Sequence, residues 1–162
     1  MNPTPHQNWW TQRARRVCVR VNAGWWLDYF LPTVLVLSVM AAVAVLLARH
    51  AGAGAGPVLG MYAGACALAA AGCLLGARRR FETVRDGLVR LEARHGLRSR
   101  LTSAEEGVGD WPPPIGAPDD GLAWAWQRSL WHPLVSAALL AAAVLIPVRP
   151  AASEAAQVVE EP

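Results

Sequence analysis

Three apolar runs divide the chain, and polar segments rich in arginine separate them. The first run, YFLPTVLVLSVMAAVAVLLA from Tyr29 to Ala48, holds twenty residues and no charge. At about 1.5 Å rise per residue, a helix of that length crosses the roughly 30 Å hydrocarbon layer of a bilayer. Pro32 is expected in its opening turn, where a missing amide proton costs least. The run begins too far along the chain, and is too long, for a cleaved signal peptide.

The second run, PVLGMYAGACALAAAGCLLGA from Pro57 to Ala77, is dominated by Ala and Gly. Small side chains add little transfer energy, so this helix is expected to need neighbours. Gly60 with Gly64, and Gly72 with Gly76, form two GxxxG pairs, a spacing that lets helix backbones approach closely in lipid. Only RHAGAGAG, Arg49 to Gly56, separates the two runs, which predicts an antiparallel hairpin. The four glycines are expected to serve helix packing, against the chain's own first span ahead of a second copy.

The third run, PLVSAALLAAAVLIPV from Pro133 to Val148, is shorter, and reaches nineteen residues only when counted from Leu130. A buried helix of a soluble protein competes with a span at this length. Trp124, Trp126 and Trp131 before the run, and Pro147 and Pro150 after it, favour the span.

Between the second and third runs the period changes. Phe81, Val84, Leu88 and Leu91 recur at steps of three and four, the seam of an amphipathic helix. Glu82 with Arg85 and Asp86 with Arg90 are the favourable charge pairs on that helix. It is expected to continue the second span for about four turns and to stop near Gly96. The seam has two open uses: docking a partner protein, or lying on the bilayer with its arginines among anionic headgroups.

The stretch RSRLTSAEEGVGDWPPP, Arg98 to Pro114, follows. Thr102 with Glu105 and Ser103 with Glu106 each match a capping box. Gly107, Gly109 and Pro112–Pro114 then end any helix and leave an extended Trp-Pro-Pro-Pro anchor. Adjacent Glu105 and Glu106 point in different directions on a helix, which argues against a shared acid–base site. The stretch is expected to shape and anchor a loop.

Charge adds direction. All fifteen basic residues are Arg, in keeping with an Ala- and Gly-rich composition. Four lie before the first span (Arg13, Arg15, Arg16, Arg20) and nine between the second and third, whereas Arg49 and Arg149 stand alone in the hairpin turn and tail. The positive-inside rule puts the amino terminus and long loop in the cytoplasm, and the hairpin turn and carboxyl tail outside. Trp25 and Trp26 at the first span, with Trp124, Trp126 and Trp131 at the third, are membrane-interface anchors on the same cytoplasmic side. Neither a cation–π contact nor base stacking is expected of the tryptophans.

The pattern predicts an all-α integral membrane protein with three transmembrane helices, the first two a hairpin, and an amphipathic cytoplasmic helix. Its parts are a cytoplasmic segment over residues 1–24, the hairpin over 25–77, and the cytoplasmic helix with its Pro/Trp loop over 78–129. The third span covers 130–149 and an external tail 150–162.

Candidate chemistry changes this little. Cys18, Cys66 and Cys73 make no CxxC or zinc spacing, and Cys66 and Cys73 read as small buried side chains on one helix face. His6, His50, His95 and His132 are scattered, with no HExxH, GxSxG or Walker loop, so no catalytic residue, metal site or cofactor is expected. Eight acids balance the arginine-rich loop, which argues against nucleic acid as a partner. A transporter or channel is the alternative function, but the spans offer only Ser38, Thr33 and Ser136, and three helices line a pore only as an oligomer.

One resemblance enters at LVRLEARHGLRSRLTSAEEGVGDWP. Arg90, Leu91, Glu92, Gly96, Leu97, Arg100, Leu101, Thr102, Ser103 and Ala104 fit a pattern of the form R-L-[DE]-x-x-x-G-L-x-x-R-L-[ST]-[ST]-A. The segment resembles the juxtamembrane region of a family of bacterial inner-membrane proteins of unknown function, encoded near MoxR-type ATPases and von Willebrand factor A-domain proteins. The resemblance covers about Leu88 to Pro113 and the span layout, and brings no catalytic residue. It implies that AASEAAQVVEEP begins a Pro/Glu-rich external linker, as in a short form or a fragment. The function expected is that of a non-enzymatic scaffold or partner-binding subunit of a cell-envelope assembly in the bacterial inner membrane. Its partners would be the bilayer and a membrane or cytoplasmic protein, and a homo-oligomer stays open.

Overall fold

The computed structural model describes residues 4–116 and 126–148, without the side chains of 126–129. Five α-helices follow one another: α1 (Pro5–His50), α2 (Gly56–Ala77), α3 (Val84–His95), α4 (Arg100–Glu105) and α5 (Trp126–Leu145). A single 3₁₀ turn, Arg78–Arg80, follows α2, and the described residues contain no strand. Two helical stretches, Pro5–His50 and Gly56–Arg80, are long and apolar enough to cross a membrane. The apolar part of α5 is shorter, Leu130–Leu145, about 24 Å of helix. It ends three residues before Val148, since Pro147 cannot continue it. The external tail, Trp124 and Arg149 lie outside the described residues.

Two expectations about the helices need correction. Helix α1 has 46 residues and begins at Pro5, so the segment before the first span is itself helical and Pro32 sits mid-helix rather than in an opening turn. Near it the Thr33 hydroxyl donates to the Tyr29 carbonyl at 2.8 Å. Nor does the cytoplasmic helix continue α2. The backbone turns at Arg78–Arg80 and is extended at Phe81, and α3 starts anew at Thr83. Thr83 and Asp86 form a capping box that periodicity alone does not display: Asp86 accepts from the Thr83 amide at 2.7 Å. Helix α3 stops at His95, with Gly96 left-handed at φ 64°, where the sequence places its end.

The chain divides into two compact units, residues 1–26 with 77–124, and residues 27–76 with 125–162. In the first, Trp10, Ala14 and Val17 of α1 meet Leu88 and Leu91 of α3 and Leu101 of α4 in one buried cluster. Gly87 makes the approach possible, since a Cβ there would lie 2.7 Å from Cys18 Sγ and 2.8 Å from the Ala14 carbonyl oxygen. The extended link before α3 is tied to α1 as well. Asn22 accepts from the Glu82 amide at 2.7 Å and donates to its carbonyl at 3.1 Å, while the Cys18 thiol donates to the Thr83 carbonyl at 2.9 Å.

In the second unit Ala42, Val45 and Ala143 form a small buried cluster, with Val58, Leu59 and Leu139 against it. Ser38 donates to the Val34 carbonyl at 2.7 Å and shares a 2.8 Å hydrogen bond with the Tyr62 hydroxyl. Arg49, the single arginine near the hairpin turn, donates to the Ala143 and Ile146 carbonyls at 2.8 and 2.7 Å. Its charge therefore satisfies carbonyls left open at the end of α5.

Candidate functional site

Each of the four GxxxG glycines of α2 faces open space. No atom lies within 4 Å of a Cβ built on Gly60, Gly64, Gly72 or Gly76. Within the unit the contacts of α2 come from other side chains: Val58 and Leu59 pack on the small buried cluster, Tyr62 bonds Ser38, and Cys73 lies 3.8 Å from the Thr33 hydroxyl.

The apolar seam is also placed differently. Leu88 and Leu91 are each 1% exposed, and Val84 packs at the edge of the same cluster, while Phe81 precedes α3 and is half-buried. The chain's own α1 occupies the face expected to meet a partner or lipid. The sequence signal for this was Trp10, Ala14, Val17 and Val21, a second apolar stripe at helical spacing that matches the seam of α3.

Of the tryptophans expected at a membrane interface, Trp25 lies beneath the Arg80 guanidinium, 5.2 Å from the ring centroid. Arg13 lies 5.9 Å from the Trp9 ring in the same way. These cation–π contacts correct the expectation that the rings make none. Trp26 is half-buried, and Trp131 is exposed and packs on the His132 ring at 4.2 Å. Trp126 opens α5, its side chain outside the description.

Two ion pairs form in the first unit, though not as spacing suggested. Glu82 lies before the helix and takes Arg90 in a two-pronged ion pair, which raises the Arg90 pKa above its ordinary value. Arg85 pairs with Glu106 instead. Asp86 turns to its own cap, and the Thr83 amide and hydroxyl hold its carboxyl below the usual range. Burial pushes the Cys18 thiol up, in keeping with its role as a donor to the Thr83 carbonyl.

Glu92, only 7% exposed, resolves the opening of α4. Its carboxylate accepts from the Leu101 amide at 2.6 Å, the Thr102 amide at 3.3 Å and the Thr102 hydroxyl at 3.1 Å. A buried acid thus caps α4 from α3, and Thr102 and Ser103 lie inside the helix rather than in the capping boxes their spacing suggests.

Helix α4 leads to the most site-like feature of the unit. A cleft of about 470 Å³ opens between the α3–α4 turn and the segment from Val108 to Pro113. Arg98, Ser99, Arg100 and Ser103 line one wall, and Asp110 and Trp111 the other. Arg98 and Ser99 are the only non-glycine positions with positive φ among the described residues, at 47° and 64°. Beneath the second wall the Trp10 indole donates to the Pro112 carbonyl at 2.9 Å, so the Trp-Pro-Pro-Pro segment is anchored as expected. Among the described residues no three His, Cys, Asp or Glu side chains converge as a metal site. Comparison with known protein families, with curated proteins and with solved structures finds no match.

Proposed function

We propose that the protein is a non-enzymatic integral membrane component, a scaffold or partner-binding subunit of a cell-envelope assembly in the bacterial inner membrane. Its helices α1, α2 and α5 cross the bilayer, with the amino terminus and the α3–α4 region cytoplasmic and the carboxyl tail outside. The observation that carries the reading is the contrast in burial between the two units. Residues 1–26 with 77–124 close an apolar core beneath a charged surface, as a domain in water does. Along α2, by contrast, only Ala77 at its end is buried, in keeping with a lipid-facing helix. The distribution of arginine supports the orientation, and the resemblance around Leu88–Pro113 supports the setting.

Extraction and co-purification test it. The chain is expected to stay in the membrane pellet at alkaline pH, and a reporter fused after Pro162 to be active outside the cell. A stoichiometric partner is expected to co-purify in mild detergent with the wild type and to be lost with Leu88→Glu, which opens the cytoplasmic core. Release of the chain by alkali, a reporter active inside the cell, or a partner set unchanged by Leu88→Glu each overturns the proposal.

A further inference from the structure

We infer that the cleft between the α3–α4 turn and Val108–Pro113 is a binding site for a nucleoside monophosphate. Its inventory sets the chemistry. Arg98, Arg100, Ser99 and Ser103 line it, and none of their side chains has a hydrogen-bond or ionic partner among the described residues. The contrast with Arg85 and Arg90 on the neighbouring helix, both held in ion pairs, is direct. Two guanidiniums and two hydroxyls on one wall call for a ligand rich in acceptors, and the arginine fork matches phosphate oxygens.

The α4 amides cannot be the anion-binding element, because Glu92 already occupies those of Leu101 and Thr102. Nor can the opposite wall add main-chain donors at Pro112 and Pro113, which have no N–H. What that wall offers is the half-buried Trp111 ring for a flat base, and the exposed Asp110 carboxylate to accept from a ribose hydroxyl. A volume of about 470 Å³ lies within the range of small-molecule sites.

Backbone strain gives the argument a second support. A left-handed conformation is disfavoured for any residue with a Cβ, and glycine would adopt it freely at position 98. Arginine there carries the steric cost while its side chain stabilises nothing in the fold. Strain kept at the lip of a cleft, under a side chain without an internal role, is the pattern of a binding residue.

The test uses the full chain in mild detergent, titrated with AMP, inorganic phosphate and adenosine by calorimetry, with thermal unfolding followed in parallel. AMP is expected to bind about tenfold or more tightly than inorganic phosphate, and adenosine more weakly than AMP. Arg98→Gly is expected to raise the unfolding midpoint while weakening AMP binding about tenfold or more, a pairing that a merely structural arginine would not produce. Arg100→Gln is expected to weaken AMP binding without moving the midpoint. Arg16→Gln, an exposed position on α1, is the control and is expected to change neither. The inference is overturned if AMP does not bind, or binds no better than phosphate or adenosine. It is equally overturned if Arg98→Gly binds AMP as the wild type does, or if Arg16→Gln weakens it as much, which would mark diffuse charge attraction.

Discussion

In the unit of residues 1–26 and 77–124, Trp10, Leu88 and Leu101 are sealed from the surface while Arg85 and Glu106 pair upon it. In the unit of residues 27–76 and 125–162 the roles reverse: Ser38 is sealed, and Met61 and Leu68 are each 77% exposed. Under the proposed membrane reading, the same physical rule operates with two solvents. Water expels apolar surface, so the first unit gathers its leucines and tryptophan inside. Hydrocarbon leaves apolar surface unpenalised and penalises unsatisfied polar groups. On that reading the second unit turns Ser38 to a tyrosine hydroxyl and Arg49 to helix carbonyls. Local contact therefore stabilises by apolar burial in one unit, and by polar satisfaction with close helix contact in the other.

The sharpest way to break this contrast is to remove matched leucines. Leu88→Ala empties a fully buried site and is expected to cost the first unit about 2–5 kcal/mol. Leu68→Ala removes the same atoms from the open face of α2 and is expected to stay within about 0.5 kcal/mol. Hydrogen exchange on the full chain in detergent, read separately over α3 and α2, measures both. Equal loss of protection at the two sites would erase the distinction.

Matched glycines sharpen it further. Gly87→Ala drives a methyl into the Ala14 carbonyl and is expected to cost about 1–3 kcal/mol. Gly64→Ala meets open space and is expected to cost nothing, or to stabilise α2 by up to about 1 kcal/mol through helix propensity. The same exchange measurement decides.

The smallest effect is a pH dependence confined to the first unit. Asp86 has a folded pKa below its ordinary 3.8, so its contribution is complete above that value and is lost as pH falls through the lower folded one. The difference in α3 protection between wild type and Asp86→Asn is expected to be constant above about pH 5 and to shrink towards pH 2. A gap that widens on acidification would show that the cap is not the group titrating.

How far the sequence could be read differs between the units in the same way. The apolar runs of α1 and α2 were legible because a helix in lipid needs about twenty uncharged residues and little else. The end of α3 at Gly96 and the Trp-Pro-Pro-Pro anchor were legible because glycine and proline restrict the backbone wherever they occur. Glu92 as the cap of α4 was not, since Thr102 and Ser103 each offer a plausible local cap and only a packed α3 brings a buried carboxylate to the same amides. The cleft was hidden for a similar reason. Its two walls lie in one polar stretch, but unpaired Arg98 and Arg100 differ from paired Arg85 and Arg90 only once Glu82 and Glu106 have chosen their partners.

By itself, then, the sequence determined the apolar runs of α1 and α2, the end of α3 and where arginine gathers, because all three follow from residues within a window of twenty or fewer. Only the tertiary structure decided what the seam of α3 meets, which face of α2 stays open, and which arginines are left without partners. Those outcomes depend on residues far apart in the chain, such as Trp10 with Pro112 and Asn22 with Glu82, whose meeting no local periodicity encodes.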